Sequence, residues 1–302
     1  MTNATTTRKH PPWIKTRLPA AGAFNDISSA LERNNLHTVC QSAMCPNRHE
    51  CFSHGTATFL ILGDICTRKC GFCAVTPGTP IAPDPDEPIR VAQAARDFKL
   101  GHVVITSVTR DDLDDGGASV FAEVISELRK CVPNATIEVL IPDFKGRECD
   151  LSVVLAARPD VLNHNLETVK RLQDQIRSGA NYKRSLSVLR YAAARKPAIM
   201  VKSGLMVGLG ETDDEIYEAM KDLHAVGCTI LTIGQYLAPS HNHRPVDRYV
   251  EPAQFEHYRE RAIALGFQAV AAKPLVRSSY GAGELLKEAK TNAEVNNQHD
   301  KR

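Results

Sequence analysis

Cys66, Cys70 and Cys73 stand in a CxxxCxxC spacing directly after the apolar run from Thr58 to Gly63. A second triplet, Cys40, Cys45 and Cys51, lies just upstream as CxxxxCxxxxxC, so six of the nine cysteines fall in two groups within 34 residues. Cysteine thiolates are the usual holders of iron–sulfur clusters, which normally take four ligands. Three at tight spacing would fix three irons of a cubane and leave the fourth open. An open coordination position is where a metal centre does chemistry rather than only holding a fold. The plain alternative for residues 66–73 is a structural zinc knuckle, but those sites want four ligands and usually paired CxxC units. Arg68 and Lys69, between the first two cysteines, form a basic flank that suits an anionic, thiolate-rich centre. Cys131, Cys149 and Cys228 are scattered near the ends of predicted helices and read as packing residues.

Beyond the first triplet the chain alternates short β-branched runs with helical stretches. The strands are expected at Thr58–Gly63, His102–Ser107, Thr136–Ile141, Asp160–Leu162, Ala198–Met206 and Thr229–Gly234. Helices are expected near Ile89–Phe98, Ala118–Cys131, Leu151–Ala157, Val169–Arg195 with an interruption, and Asp213–Val226. Such alternation argues for βα units and a parallel sheet. Six units suit an incomplete barrel better than a doubly wound sheet, although periodicity alone does not separate the two. Before them, Asp26–Asn34 is a candidate short helix; after them come a helix at Pro252–Leu265, an apolar run at Phe267–Ala272 and a polar tail from Lys287 expected to fray.

Polar residues gather just after the strands, where barrel sites are built. Asn165 and Glu167, in NHNLE, could hydrogen-bond ribose hydroxyls or simply cap the next helix. His164 between them reads as structural. Gly208 and Gly210, in GLGE, allow close backbone approach to a ligand or a tight turn. Asp213 occupies the place where a dinucleotide fingerprint would need its third glycine. The acidic run Asp111, Asp112, Asp114 and Asp115 lacks the calcium-loop spacing and reads as turn and helix N-terminal chemistry. His241 and His243 read as solvent-facing loop residues.

The CxxxCxxC motif resembles that of the radical S-adenosylmethionine superfamily, and the wider pattern resembles the lipoyl synthase family. The similarity is carried by CQSAMCPNRHECFSHGTATFLILGDICTRKCGFCAV, VVITSVTRDDLDDGGA, IEVLIPDFKG, NHNLETV, KSGLMVGLGET, LTIGQYLAPS and the C-terminal RSSY, from about Pro11 to Glu284. Gln41, Ser42, Phe52 and Lys273 depart from the family's common residues, and none of them is a ligand.

The resemblance implies an α/β fold, a partial (β/α)6 TIM-type barrel over residues 55–250. It implies an N-terminal extension (1–54) and a C-terminal extension (251–302) capping the barrel mouth. It implies two [4Fe–4S] clusters, one on Cys66, Cys70 and Cys73, which chelates S-adenosylmethionine, and an auxiliary one on Cys40, Cys45, Cys51 and Ser279, with Ser278 the close alternative. Asn165, Glu167, Arg184, Gly208 and Gly210 would bind S-adenosylmethionine. The reaction would be radical insertion of two sulfurs, at C6 and then C8 of an octanoyl chain on a carrier-protein lysine. The carriers would be lipoyl domains of 2-oxoacid dehydrogenase E2 subunits and the glycine cleavage H protein. A ferredoxin or flavodoxin would supply electrons, and an iron–sulfur carrier protein would supply clusters.

Charge is near balance at +2 with a pI of about 8.1, which does not ask for nucleic acid. A basic group at Arg8, Lys9, Lys15 and Arg17 reads as a solvated arm or a docking site for an acidic partner. No apolar stretch approaches the roughly 20 residues of a membrane span, and the start has no apolar signal core. The chain reads as a soluble, cytosolic protein, and nine cysteines in a reducing compartment point to metal or redox use rather than disulfides. A biotin-synthase-like or methylthio-transferring enzyme, and a non-enzymatic iron–sulfur or zinc scaffold, are the competing readings.

Overall fold

The computed structural model describes residues 10–15, 29, 31–53, 57–195 and 198–299. Arg8, Lys9, Arg17 and four of the nine residues of the candidate helix Asp26–Asn34 (26–28 and 30) lie outside them; of the rest, 29 and 31–33 are helical. Seven parallel strands form one sheet: β2 (Thr58–Ile61), β5 (His102–Ser107), β6 (Thr136–Leu140), β7 (Val161–Asn163), β8 (Met200–Val207), β9 (Ile230–Gln235) and β10 (Ala269–Ala272). A short β1 (His37–Thr38) adds antiparallel to the outside of β2. Strand order follows chain order without reversal, β1-β2-β5-β6-β7-β8-β9-β10, and the two edges do not pair. A doubly wound sheet would reverse at a switch point; this sheet winds one way, as an open barrel. A separate pair, β3 (Ile65–Cys66) and β4 (Thr76–Pro77), closes the base of the first cysteine loop.

The expected strands are all present, with ends shifted by a residue or two, because each β-branched run is bounded by a turn that fixes it. The helices are set by equally local signals. Thr212 and Glu215 form a reciprocal capping box that starts Asp213–Ala225. The Asp115 carboxylate accepts the Gly117 and Ser119 amides (both 2.8 Å) and so opens Ala118–Cys131, the role expected of the acidic run. The interrupted stretch breaks at Gly179 (φ 72°), and the Asn181 side chain then caps Tyr182–Ala193 by accepting the Arg184 amide. One expectation fails. The polar tail forms a helix over Ala282–His299, because Ala282, Leu285, Leu286 and Ala289 make a buried seam, with Leu285 and Ala289 packed on Ile230 and Ala269. Among the described residues no helix is long and apolar enough to cross a membrane.

One layer below the cavity described next, the inward faces carry charge. Lys202 Nζ donates to both Glu138 oxygens (2.9 and 3.1 Å), Asn163 Nδ2 donates to the same carboxylate at 3.1 Å, and Lys202 and Glu138 are fully buried. Burial favours the neutral acid, yet Lys202 and His102 hold the Glu138 carboxyl below its usual range. Breaking such a pair strands the survivor. Lys202→Ala is therefore expected to cost about 3–5 kcal/mol of stability, read from denaturant midpoints. A loss under about 1 kcal/mol would show that the pair is not what holds this layer. Replacing both partners together (Lys202→Met with Glu138→Leu) is expected to recover most of the loss.

Candidate active site

The turn that launches the first cysteine loop is strained and held. Leu62 sits at φ 68°, in the left-handed region, just past β2. Its amide donates to Glu87 Oε2 at 2.8 Å and its carbonyl accepts from buried Arg110 at 3.3 Å. Strain of this kind persists only where the surroundings over-determine it. The loop then laces to the end of β5 through Thr67 N and Oγ1 on the Thr109 carbonyl (3.0 and 2.8 Å). Cys66 Sγ accepts the Arg68 and Thr109 amides (3.4 and 3.3 Å). Gly71 N donates to the Ile176 carbonyl, and the Gly71 carbonyl accepts the Arg244 amide, each at 2.9 Å. Arg68 does not face the thiols. It forks onto Asp111 (2.7 and 2.9 Å) and reaches Asp143 at 2.8 Å, because two carboxylates outcompete neutral sulfur for a guanidinium.

The second triplet is carried by two short helices, Val39–Ser42 and Arg48–Ser53. Cys45 N donates to the Cys40 carbonyl (3.1 Å), and Cys51 N to the Asn47 carbonyl (2.9 Å). Gln41 donates its backbone amide to Thr38 Oγ1 and accepts from that hydroxyl, so this departure from the family pattern serves a cap. The C-terminal segment is fastened here from the far end of the chain. Asn47 Nδ2 donates to the Leu275 carbonyl at 2.6 Å, and Tyr280 Oη donates to Glu50 at 3.0 Å. Gly234 on β9 lets that segment pass, since a Cβ there would overlap the Val276 carbonyl.

These elements enclose a cavity of about 530 Å³ at the C-terminal ends of the strands. All six cysteines of the two triplets line it, with Ser278, Ser279, Asn165 and Glu167. So do apolar side chains including Val39, Leu60, Val108, Met206 and Leu237. Arg184, Gly208 and Gly210 do not line it. Arg184 pairs with Asp143 at 3.1 Å. Gly208 lies under the 236–250 segment, where a Cβ would meet Gln235 and the Arg248 carbonyl. Two lining residues carried no recognisable signal. Gly204, inside β8, leaves room that a Cβ would take from Asn165 Oδ1 and Thr232 Oγ1 (both 2.8 Å). Arg177 also lines the cavity and acts electrostatically on both Cys70 and Glu167.

The thiols report their surroundings. Burial pushes Cys40 up to about 11, and burial with Cys40 and Cys45 nearby pushes Cys51 to about 12. Burial, with Cys70 and Cys66 adding to it, pushes Cys73 to about 12, and burial raises Cys70 against the pull of Arg177. Cys40, Cys51, Cys70 and Cys73, raised by burial and by neighbouring thiols, would give up their protons together only to a cationic centre that displaces them. Among the described residues no three His, Cys, Asp or Glu side chains converge on one point as single-ion ligands do. A cubane, by contrast, holds its thiolates at separate corners. Asn165 Oδ1 and Ser107 Oγ are buried, line the cavity and have no partner among the described residues, the mark of a site made for a polar ligand. Glu167 adopts φ 67° and accepts Asn165 Nδ2 at 3.1 Å, and burial raises its carboxyl. His164 is structural, as its context suggests. Nδ1–H donates to the Ile141 carbonyl, Nε2 accepts from Ser185, and burial lowers its pKa to about 4.

Asp143 braces the loop wall. Burial alone would raise its carboxyl, but the Arg68 hydrogen bond and charge win and hold it at about 2. A folded value below the ordinary one of about 3.9 gives stability that is present above that pH and lost as pH falls toward the folded value. Asp143→Asn is expected to remove about 2 kcal/mol at neutral pH and to flatten the acid limb of a stability-versus-pH curve from urea midpoints. An acid limb that is unchanged would place that stability elsewhere.

The radical SAM superfamily model matches residues 60–223, and the model for the N-terminal domain of lipoyl synthase matches residues 1–45. The lipoyl synthase of Pasteurella multocida is 54% identical across 92% of this chain and 89% of its own length. That of Photorhabdus laumondii is 53% identical across 93% and 88%, and that of Vibrio cholerae serotype O1 55% identical across 91% and 86%. Among solved structures, methylornithine synthase matches with a TM-score of 0.52 at 13% identity, over 84% of this chain and 75% of that one. Streptococcus suis SuiB bound to S-adenosylmethionine matches at 0.53 and 11%, over 72% and 51%. These two share the partial-barrel fold.

Proposed function

The chain belongs to the lipoyl synthase family of radical S-adenosylmethionine enzymes, and from that premise we propose that it inserts two sulfurs, at C6 and C8, into an octanoyl arm on a carrier-protein lysine. Two molecules of S-adenosylmethionine are consumed, and the sulfur comes from an auxiliary [4Fe–4S] cluster. The observation that carries this reading is a single cavity lined by both cysteine triplets and by apolar side chains. When bound, a [4Fe–4S] cluster with an open iron supplies the one-electron reduction that splits S-adenosylmethionine and so provides a radical able to take hydrogen from an unactivated carbon.

The protein's share is position and exclusion. Cys66, Cys70 and Cys73 would hold one cluster; Cys40, Cys45 and Cys51 would hold the other, with Ser279 as the fourth, weaker oxygen ligand; all seven line the cavity. Asn165 and Glu167 offer hydrogen bonds to ribose hydroxyls from a buried shelf. Val39, Leu60, Val108, Met206 and Leu237 give the alkyl arm an apolar path that keeps water out. The arm arrives on lipoyl domains of 2-oxoacid dehydrogenase E2 subunits or the glycine cleavage H protein. Electrons come from a ferredoxin or flavodoxin, and clusters from an iron–sulfur carrier, in a reducing cytoplasm.

Anaerobic reconstitution followed by mass spectrometry of an octanoyl-lysyl peptide tests this. The expected product gains two sulfurs and loses two hydrogens, and the protein holds close to eight irons and eight sulfides, two cubanes. Cleavage of S-adenosylmethionine with the octanoyl peptide unchanged and dethiobiotin converted would assign the chain another substrate. Zinc without sulfide would return it to a scaffold.

A further inference from the structure

The segment between β9 and the helix Pro252–Leu265, residues 236–250, carries His241 and His243, which the sequence alone places in solvent. It is a strap across the barrel mouth. Its first residues, Tyr236 to Pro239, line the cavity. Its middle is bonded to the first cysteine loop at two backbone carbonyls: Arg244 N donates to Gly71 (2.9 Å), and His243 Nε2 lies 3.1 Å from Cys73 O. Its far side is bonded to the GLGE turn, with Arg244 Nη2 on the Leu209 carbonyl (3.3 Å) and Asp247 N on the Gly208 carbonyl (2.9 Å). Tyr236 Oη donates back to the Arg244 carbonyl at 2.7 Å, so the cavity end and the anchored end are one unit.

His243 is the side-chain link between this unit and the first cysteine loop. A carbonyl can only accept, so Nε2 carries the proton it donates to Cys73 O. In the neutral ring Nδ1 then accepts from the Ser240 hydroxyl at 2.8 Å, one residue past the cavity wall. His243 N also donates to the Ser240 carbonyl at 3.2 Å, closing a compact turn. The ring thus runs from a residue beside Pro239 to the backbone of a cluster-holding cysteine. Arg244 holds Gly71, between Cys70 and Cys73, by its main chain alone, which no substitution at Arg244 other than proline removes. The side-chain link at His243 is the adjustable one.

Building on the function proposed above, we propose that His243 is a positioning residue that keeps the Cys70–Cys73 turn in register with the Leu237–Pro239 wall, so that the strap ties S-adenosylmethionine cleavage to the presence of the alkyl arm. An arm resting on Leu237–Pro239 acts on Ser240 and the His243 ring, and through that ring on the Cys73 peptide. The residue contacts neither arm nor adenosylmethionine in this role. It acts through what it holds.

The test uses the full chain, reconstituted anaerobically, as unsubstituted protein, His243→Ala, His243→Gln and Ser240→Ala. Iron and sulfide content, the electron paramagnetic resonance spectrum of the reduced protein with S-adenosylmethionine, and the change in that spectrum on adding octanoyl-lysyl peptide are recorded. Methionine released per lipoyl product is counted alongside. His243→Ala is expected to load normally, to lose the spectral response to the peptide, and to raise methionine per product on the order of tenfold. Glutamine keeps an N–H donor and is expected to restore much of the response. Ser240→Ala, the milder change, is expected to shift both readouts in the same direction. A His243→Ala protein whose peptide response and product ratio match the unsubstituted protein overturns the proposal. So does one that merely loses iron or unfolds while Ser240→Ala is unaffected, since the link would then be scaffolding only. If the unsubstituted protein makes no lipoyl product, the functional reading fails instead, while the spectral comparison still judges His243.

Discussion

Cys70→Ala is expected to bring cleavage of S-adenosylmethionine down to the level of an enzyme-free control. Cys70 sits at the mouth of the CGFC turn, with Cys66 and Glu167 adding to the rise in its pKa and Arg177 opposing it. Alanine leaves two thiols where three are needed to leave one open corner. No other side chain in the cavity can stand in for a one-electron reductant. General acids and bases have no purchase on an unactivated C–H or on the sulfonium cleavage that precedes it. The loss should therefore reach at least about 10⁴-fold, a small part of what enzymes commonly supply. Methionine release under excess dithionite is the measurement. Cleavage within about tenfold of the unsubstituted protein, under 2 kcal/mol in barrier, would remove the first triplet from the chemistry.

Cys45→Ala is expected to separate the two halves of the reaction. Cys45 lies on the opposite triplet, where its electrostatic reach extends to Cys40, Cys51 and Arg277. Its loss leaves the loop of residues 66–73 with every bond described above. Methionine release is expected to stay within about threefold, under 1 kcal/mol in barrier, while lipoyl product disappears and iron falls toward four per chain. Ser279→Ala should follow the same pattern more weakly, since a hydroxyl is the weakest member of the set. Full product from Cys45→Ala would take the sulfur source away from the second triplet. Equal loss of cleavage in both variants would mean that the two triplets serve one function.

Much of this was legible in the sequence because the signals are local. The strand His102–Ser107 and the helix Ala118–Cys131 appear with the ends expected of them. A β-branched run and an Asp-Gly-Gly turn leave the backbone few alternatives. The six cysteines were legible for the same reason: their spacing is written along the chain, and all six line one cavity. What escaped is written across it. Gly204 carries no turn signal, and its need to be glycine appears only when Asn165 and Thr232 arrive from neighbouring strands. Arg177 faces Cys70 because Ile176 takes the Gly71 amide, a contact about a hundred residues apart in sequence. His243 looked solvent-facing because its acceptor, the Cys73 carbonyl, is 170 residues away. The helix Ala282–His299 was missed because a narrow seam of leucine and alanine is enough to seat a mostly polar segment on a sheet edge.

The bonds joining Asn47 to Leu275 and Glu50 to Tyr280 span 228 and 230 residues. A ribosome reads the first member of each pair long before the second, so the wall bearing Ser279 does not exist until everything between them has been made. The barrel strands can pair in order as they emerge, but this seam closes last. A premature stop between β9 and Leu275 therefore leaves the barrel strands made but the cavity unfastened on the side of Asn47 and Glu50.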